Sequence, residues 1–233
     1  MKYLIYSDLE ELKKCKKIII CYLLMLVLYY IYNGIILDFD FNSEKSNIFL
    51  TNIGGFQKIY HPIVMAYTLF IFAIYYYIAL KLFVKDFKLG AENIFLRISQ
   101  KKWLNIKLFN IFIITFILEV LTFVILLLIF FITGNSLNIT SIFTIFIADL
   151  FTKMLFINFS IIGYILFNYY GIFIFLLIII ISSIGKIYNL GFYLFSINFL
   201  DNYFEILIYF VLSLLLLKFI FIRKNTLIFE RRD

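Results

Sequence analysis

Apolar residues run along this chain in long blocks separated by short polar segments, with neither the strict alternation of a half-buried strand nor the apolar stripe of a soluble helix. Crossing a hydrocarbon core takes roughly 20 helical residues. On that measure the blocks near 18–36, 61–84, 108–132, 142–166, 170–185 and 206–222 read as six spans. Residues 142–184 are almost unbroken, with only Asn168, Tyr169, Tyr170 and Gly171 as punctuation. They are divided into two spans because a single helix of that length would far overshoot a bilayer. The fold class this predicts is all-α: one polytopic membrane domain over residues 1–233, without a linker that would split it.

The polar interruptions carry their own signals. Ahead of the first block, Ser7-Asp8-Leu9-Glu10 has the form of a capping box, with Ser7 able to accept from the backbone N–H of Glu10. Ile5, Leu9 and Leu12 then recur at helical spacing, with Asp8, Glu11 and Lys14 elsewhere around the helix. Residues 1–17 are therefore expected either to lie along a membrane face as an amphipathic helix or to lead as a plain helix into the first span. Pro62 is placed to begin the second span as its first-turn proline.

Composition agrees with the pattern: the chain is 64% hydrophobic and only 15% charged, where a soluble domain carries about a quarter charged residues. Charge then orients it. Lys2, Lys13, Lys14, Lys16 and Lys17 precede the first span; Lys85, Lys88, Arg97, Lys101, Lys102 and Lys107 follow the second; Arg223, Lys224, Arg231 and Arg232 follow the last. The opposite loops hold only Lys45, Lys58 and Lys186, among acidic Asp38, Asp40, Glu44, Asp201 and Glu205. The positive-inside rule puts both termini on the cytoplasmic side of the membrane. A net charge of +7 is accounted for by anionic lipid headgroups, and no nucleic acid is needed as a partner. No small-residue cleavage site follows the first apolar block, so it is expected to remain as an uncleaved span.

Catalytic chemistry has few parts to draw on. His61 is the single histidine, which leaves a zinc site or a nucleophilic triad short of members. Cys15 and Cys21 are six apart on one expected helix and point in different directions, so neither a disulfide nor a metal pair is predicted. Glu10-Glu11-Leu12-Lys13-Lys14-Cys15 begins like the E-E-x-x-x-R of membrane-embedded abortive-infection proteases, but Cys15 stands where arginine is required. Gly185-Lys186 is followed by Ile187 and lacks the earlier glycine of a phosphate-binding loop, so ATP hydrolysis is not expected in this chain. The enzyme class is set aside on these grounds, and Asn138-Ile139-Thr140 carries no meaning as a glycosylation site if the protein is bacterial.

The segment from Lys85 to Lys107 is the longest expected cytoplasmic excursion. Within it Phe95, Ile98 and Trp103, with Ile94, are apolar enough to pack against something, while Arg97, Gln100, Lys101 and Lys102 keep it out of the bilayer. Either the aromatics sit in the lipid interface, or the segment docks on a soluble partner. An interfacial N-terminal helix, six spans and the Glu92–Lys107 sequence "ENIFLRISQKKWLNIK" together resemble an ABC-2 type transporter permease subunit. The layout is similar in particular to small bacterial peptide and bacteriocin export or immunity permeases. That resemblance implies a homodimer or related heterodimer of permeases on two copies of a separate ABC ATPase, which would carry ATP and magnesium, and a peptide cargo. It also implies that Glu92, Phe95, Arg97, Ile98, Lys101, Lys102 and Trp103 couple the chain to that ATPase, and that residues 185–205 re-enter the membrane before the last span.

Inside the spans, ionisable side chains are costly unless paired or wet. Glu119 lies 18 residues before the turn near residue 137 and Lys153 lies 16 after it. At about 1.5 Å per residue the two reach similar depths in an antiparallel hairpin. Glu119 and Lys153 are thus expected to meet, with Asp149 a second partner one turn from Lys153. The trio serves either as an interhelical clamp or as the lining of a transport path. Lys81 and Lys218 lie closer to span ends and are expected to snorkel. Two other function classes fit the same spans: an ion-coupled secondary transporter, for which no internal repeat is visible, and a stand-alone membrane immunity or scaffold protein.

Overall fold

A computed structural model of the chain describes residues 2–36, 62–88, 98–132, 139–167 and 203–230. Among these the structure is all helical: α1 (Lys2–Lys14), α2 (Lys16–Ile36), α3 (Pro62–Lys88), α4 (Gln100–Ile132), α5 (Ile139–Phe167) and α6 (Tyr203–Glu230). The expected span at 170–185 and the re-entrant stretch at 185–205 lie outside the described residues. Pro62 is the first residue of α3, where its missing N–H costs no intrahelical bond. Two stretches, Gln100–Ile125 and Asp149–Phe167, are long and apolar enough to cross a membrane by length and composition.

The helices run further than the apolar blocks. Residues 85–88 complete the last turn of α3 and residues 100–107 form the first two turns of α4, so the expected 85–107 excursion is largely helix at both ends. The reason is that its polar residues have partners inside the bundle. Trp103, Lys107 and Asn110 are buried at helical spacing on the same face of α4 as Ile114, Leu118 and Thr122. The outer face of that helix is Phe109, Ile113, Phe116, Val120 and Val124, all exposed. Polar groups inside and apolar groups outside invert the arrangement of a water-soluble bundle, in which exposed faces are polar.

Helix α5 packs most extensively on α6 and next on α3, and α4 closes the bundle against α5. Phe72 of α3 lies against Phe156 of α5 with ring centroids 4.5 Å apart. Phe123 of α4 meets Phe146 of α5 edge-to-face at 4.9 Å, an orientation that sets ring edge against ring face. Asn158 of α5 donates to Ser213 Oγ of α6 at 2.9 Å, and the serine donates back to the carbonyl of Phe210.

Helix α1 corrects the sequence reading in two ways. It starts at Lys2, so Ser7 lies within the helix rather than capping it. The Ser7 hydroxyl and carbonyl instead accept from Lys85 Nζ of α3, the carbonyl contact being 2.8 Å. The second correction concerns which face is covered. Asp8 and Glu11 are buried, while Leu9 and Tyr6 are exposed, so α1 turns two acids to the protein beside Leu12 and leaves Tyr6 and Leu9 outside with Glu10, Lys13 and Lys14. Lysines on α3 and α4 supply the charge that draws this face inward. Cys15 sits at the break between α1 and α2 and is buried, whereas Cys21 is exposed.

Candidate functional site

Two polar layers cross the bundle, and both are anchored on α4. The first lies at the α1 end. Lys107 of α4 is fully buried, and its ammonium donates to Asp8 of α1 and approaches Asp86 Oδ2 of α3 at 3.0 Å. The same ammonium donates to the carbonyl of Leu82 at 3.3 Å. Asn110, one turn along, donates to the other Asp8 oxygen at 2.7 Å. Asp86 Oδ2 also accepts from Trp103 Nε1 at 2.8 Å. Three donors for two carboxylates is the kind of pairing a dry carboxylate requires.

Trp103 is the apolar centre of this layer. Its ring stacks on Phe221 of α6, 5.5 Å between centroids and 18° between planes, and meets Phe83 of α3 at 5.4 Å. With 0% of its surface exposed, it touches neither lipid nor an outside partner; it ties the start of α4 to α3 and α6. Lys101 and Lys102, its neighbours in sequence, are exposed and Ile98 is half-buried. With Ser99, Asn105, Ile106 and Phe109 the two lysines line an open groove of about 600 Å³. Glu92, Phe95 and Arg97 lie outside the described residues.

Around this layer Glu11 gathers the remaining lysines. Its carboxylate pairs with Lys14 at 2.7 Å, Lys85 at 3.7 Å and Lys81 at 4.0 Å. The hydrogen bond from Lys14 holds the Glu11 carboxyl below its ordinary value, against partial burial that raises it, and the charges of Lys14, Lys85 and Lys81 add to the lowering. Lys81, expected to snorkel, reaches this carboxylate and lies over the Tyr77 ring at 5.6 Å.

The second layer is the trio. Lys153 Nζ of α5 is 2.5 Å from Glu119 Oε1 of α4 and 2.8 Å from Asp149 Oδ2 on its own helix. The hairpin depth argument therefore brings together the residues it named. Sequence reasoning did not name Tyr75 of α3, whose hydroxyl donates to Glu119 Oε1 at 2.5 Å and whose ring lies 5.0 Å from the Lys153 ammonium. Tyr22 of α2 extends the network, 2.7 Å from the Thr122 hydroxyl and 3.5 Å from that of Tyr75. Lys153 and Glu119 have no exposed surface. Glu119 Oε2 and Asp149 Oδ1, also buried, have no hydrogen-bond partner among the described residues.

Asp8, Asp86, Lys107 and Asn110 are the functional candidates that sequence reasoning missed. One signal was available: Trp103, Lys107 and Asn110 fall at i, i+4 and i+7, one face of a helix, where the expected cytoplasmic excursion meets the third span. Their partner Asp8 lies 99 residues from Lys107, and no local pattern reports that pairing. Among the described residues no cluster of histidine, cysteine and acidic side chains could hold a metal ion. No family model, no curated protein and no solved structure matches the chain.

Proposed function

We propose that this chain is the transmembrane subunit of an ATP-driven exporter, moving an amphipathic or hydrophobic peptide, with six spans and cytoplasmic termini in a bacterial plasma membrane. A separate ABC ATPase, in two copies, supplies the energy to a permease dimer. The membrane setting is supported by the inverted helices: Phe109, Phe116, Leu128, Leu212, Leu215 and Phe219 face outward, while the acids and lysines of the two layers are inside. Lipid accepts such a surface and water does not.

The observation that carries the coupling role is the junction at the start of α4. Exposed Lys101 and Lys102 lie on a helical turn whose next residue, Trp103, is locked against α3 and α6. One turn further, Lys107 ties the same helix to α1. A push on the basic turn is thus passed to four helices without an intervening flexible segment. Lys101 and Lys102 meet the ATPase, with Glu92, Phe95, Arg97 and Ile98 completing the contact. Trp103 and Lys107 position that surface from within, and Glu119, Asp149 and Lys153 clamp α4 to α5 so that the motion reaches the spans.

The test is co-purification with an ATPase encoded beside this chain. Lys101→Glu with Lys102→Glu should abolish association while leaving the thermal midpoint of the chain unchanged. A permease that keeps its ATPase after that reversal, or one that is fully active in vesicles without any ATPase, overturns the proposal.

A further inference from the structure

We propose that the Glu119–Asp149–Lys153 cluster is a proton-binding site that holds one proton on its carboxyl pair. The inference stands on the geometry of the cluster and is independent of whether an ATPase drives the chain. Two carboxyl groups share a single ammonium: Lys153 is 2.5 Å from one and 2.8 Å from the other. With all three ionised the cluster carries one uncompensated negative charge where neither Lys153 nor Glu119 has any exposed surface. A buried charge without a partner is so costly that such a site takes up a counter-charge or neutralises itself.

Among the described residues the surroundings supply no second cation. The groups facing the cluster are Tyr22 from α2, Tyr75 from α3 and Thr122 from α4, hydroxyls all. Among the described residues, Lys153 is the only cation paired with either carboxylate. Two oxygens, Glu119 Oε2 and Asp149 Oδ1, are buried without partners, and each offers a place for a proton. The proton comes from bulk water: an O–H bond forms at one of these oxygens, the net charge of the cluster rises from minus one to zero, and release reverses the step with no other bond changed.

A cavity of about 10 Å³ lies between α3 and α4, lined by Tyr75, Leu82, Ile111, Thr115 and Leu118. That volume is at the minimum for one water molecule, and apart from Tyr75 and Thr115 its lining is apolar. At one edge is Tyr75, whose hydroxyl is bonded to Glu119. At the other is Leu82, whose carbonyl accepts from Lys107.

The test is infrared spectroscopy of the full chain in phosphatidylcholine nanodiscs at neutral pH. The wild type should show the carbonyl stretch of a protonated carboxyl, shifted by exchange into heavy water. Glu119→Gln and Asp149→Asn should each abolish the band, because either substitution leaves one carboxylate for one ammonium. Lys153→Met, which removes the ammonium, should raise the band about two-fold, both carboxyls then being neutral. A folded wild type without the band overturns the proposal, as does a band that persists in both single variants. Replacing sodium by a bulky organic cation separates the remaining case: a missing band together with a thermal midpoint that falls on sodium removal would assign the site to a metal cation and refute the proton.

Discussion

The two ionic layers sit twelve residues apart on α4, about 18 Å along its axis, and they are satisfied to different degrees. At the α1 end, Asp8 and Asp86 share Lys107, and Asn110 and Trp103 Nε1 supply the extra donors that the surplus carboxylate requires. In the trio, Glu119 and Asp149 also share one lysine, but Tyr75 contributes a donor to an oxygen that Lys153 already contacts, and two carboxylate oxygens are left over. The first layer is a closed joint between α1, α3 and α4. The second is an open account of charge between α4 and α5. Two acids and one lysine thus make a rigid anchor in one place and a site with spare acceptor capacity in the other, and neutral donors make the difference.

The largest effect that would break the comparison is loss of the shared lysine. Lys153→Met and Lys107→Met each take the ammonium partner from two buried acids and should cost about 3–5 kcal/mol, read as a fall in thermal midpoint. They differ in what loosens: Lys107→Met should release α1 and open Cys15, now buried, to thiol reagents, whereas Lys153→Met should leave Cys15 protected. Glu119→Lys combined with Lys153→Glu should recover expression lost in either single change. If the single variants fold normally and only transport is altered, the trio is no clamp.

A smaller effect isolates the neutral donors. Trp103→Phe keeps an aromatic ring beside Phe221 and Phe83 but leaves Asp86 without its indole donor, at a cost of about 1–3 kcal/mol in chemical denaturation. Asn110→Leu should cost a similar amount by removing a donor from Asp8. If both were silent, the closure of the first layer by neutral donors would be refuted.

The smallest effect is a pH dependence confined to the rim of the α1 layer. The folded state holds the Glu11 carboxyl below its ordinary value, chiefly through Lys14. Its contribution to α1 docking is therefore present above the ordinary carboxylate range and is lost as the pH falls through the lowered folded value. Hydrogen exchange of α1 should accelerate in that acid window, and Glu11→Gln should flatten the acceleration. An unchanged profile in Glu11→Gln would assign it to other groups.

Much of the trio was legible before any coordinates, and little of the α1 layer was. Glu119 and Lys153 flank one short turn, so the helical rise alone sets their relative depth. Asp149 and Lys153 are one turn apart on a single helix. Asp8 and Lys107, by contrast, meet only because α1 folds back against α3 and α4, and their separation of 99 residues leaves no periodic trace. The capping pattern at Ser7 misled for the same reason: a local donor was assigned where Lys85, from a distant helix, is the actual partner.

What the amino-acid sequence determined by itself is the helical class, the meeting of Glu119, Asp149 and Lys153 between α4 and α5, and the start of α3 at Pro62, because these follow from residue type, helical rise and a fixed φ. Tertiary structure alone decided that α1 presents its acids to the bundle, that Trp103 is a buried joint rather than an exposed anchor, and that Tyr75 meets Glu119. Those outcomes depend on which distant lysines and hydroxyls arrive to satisfy a buried group, and long-range packing sets that arrival.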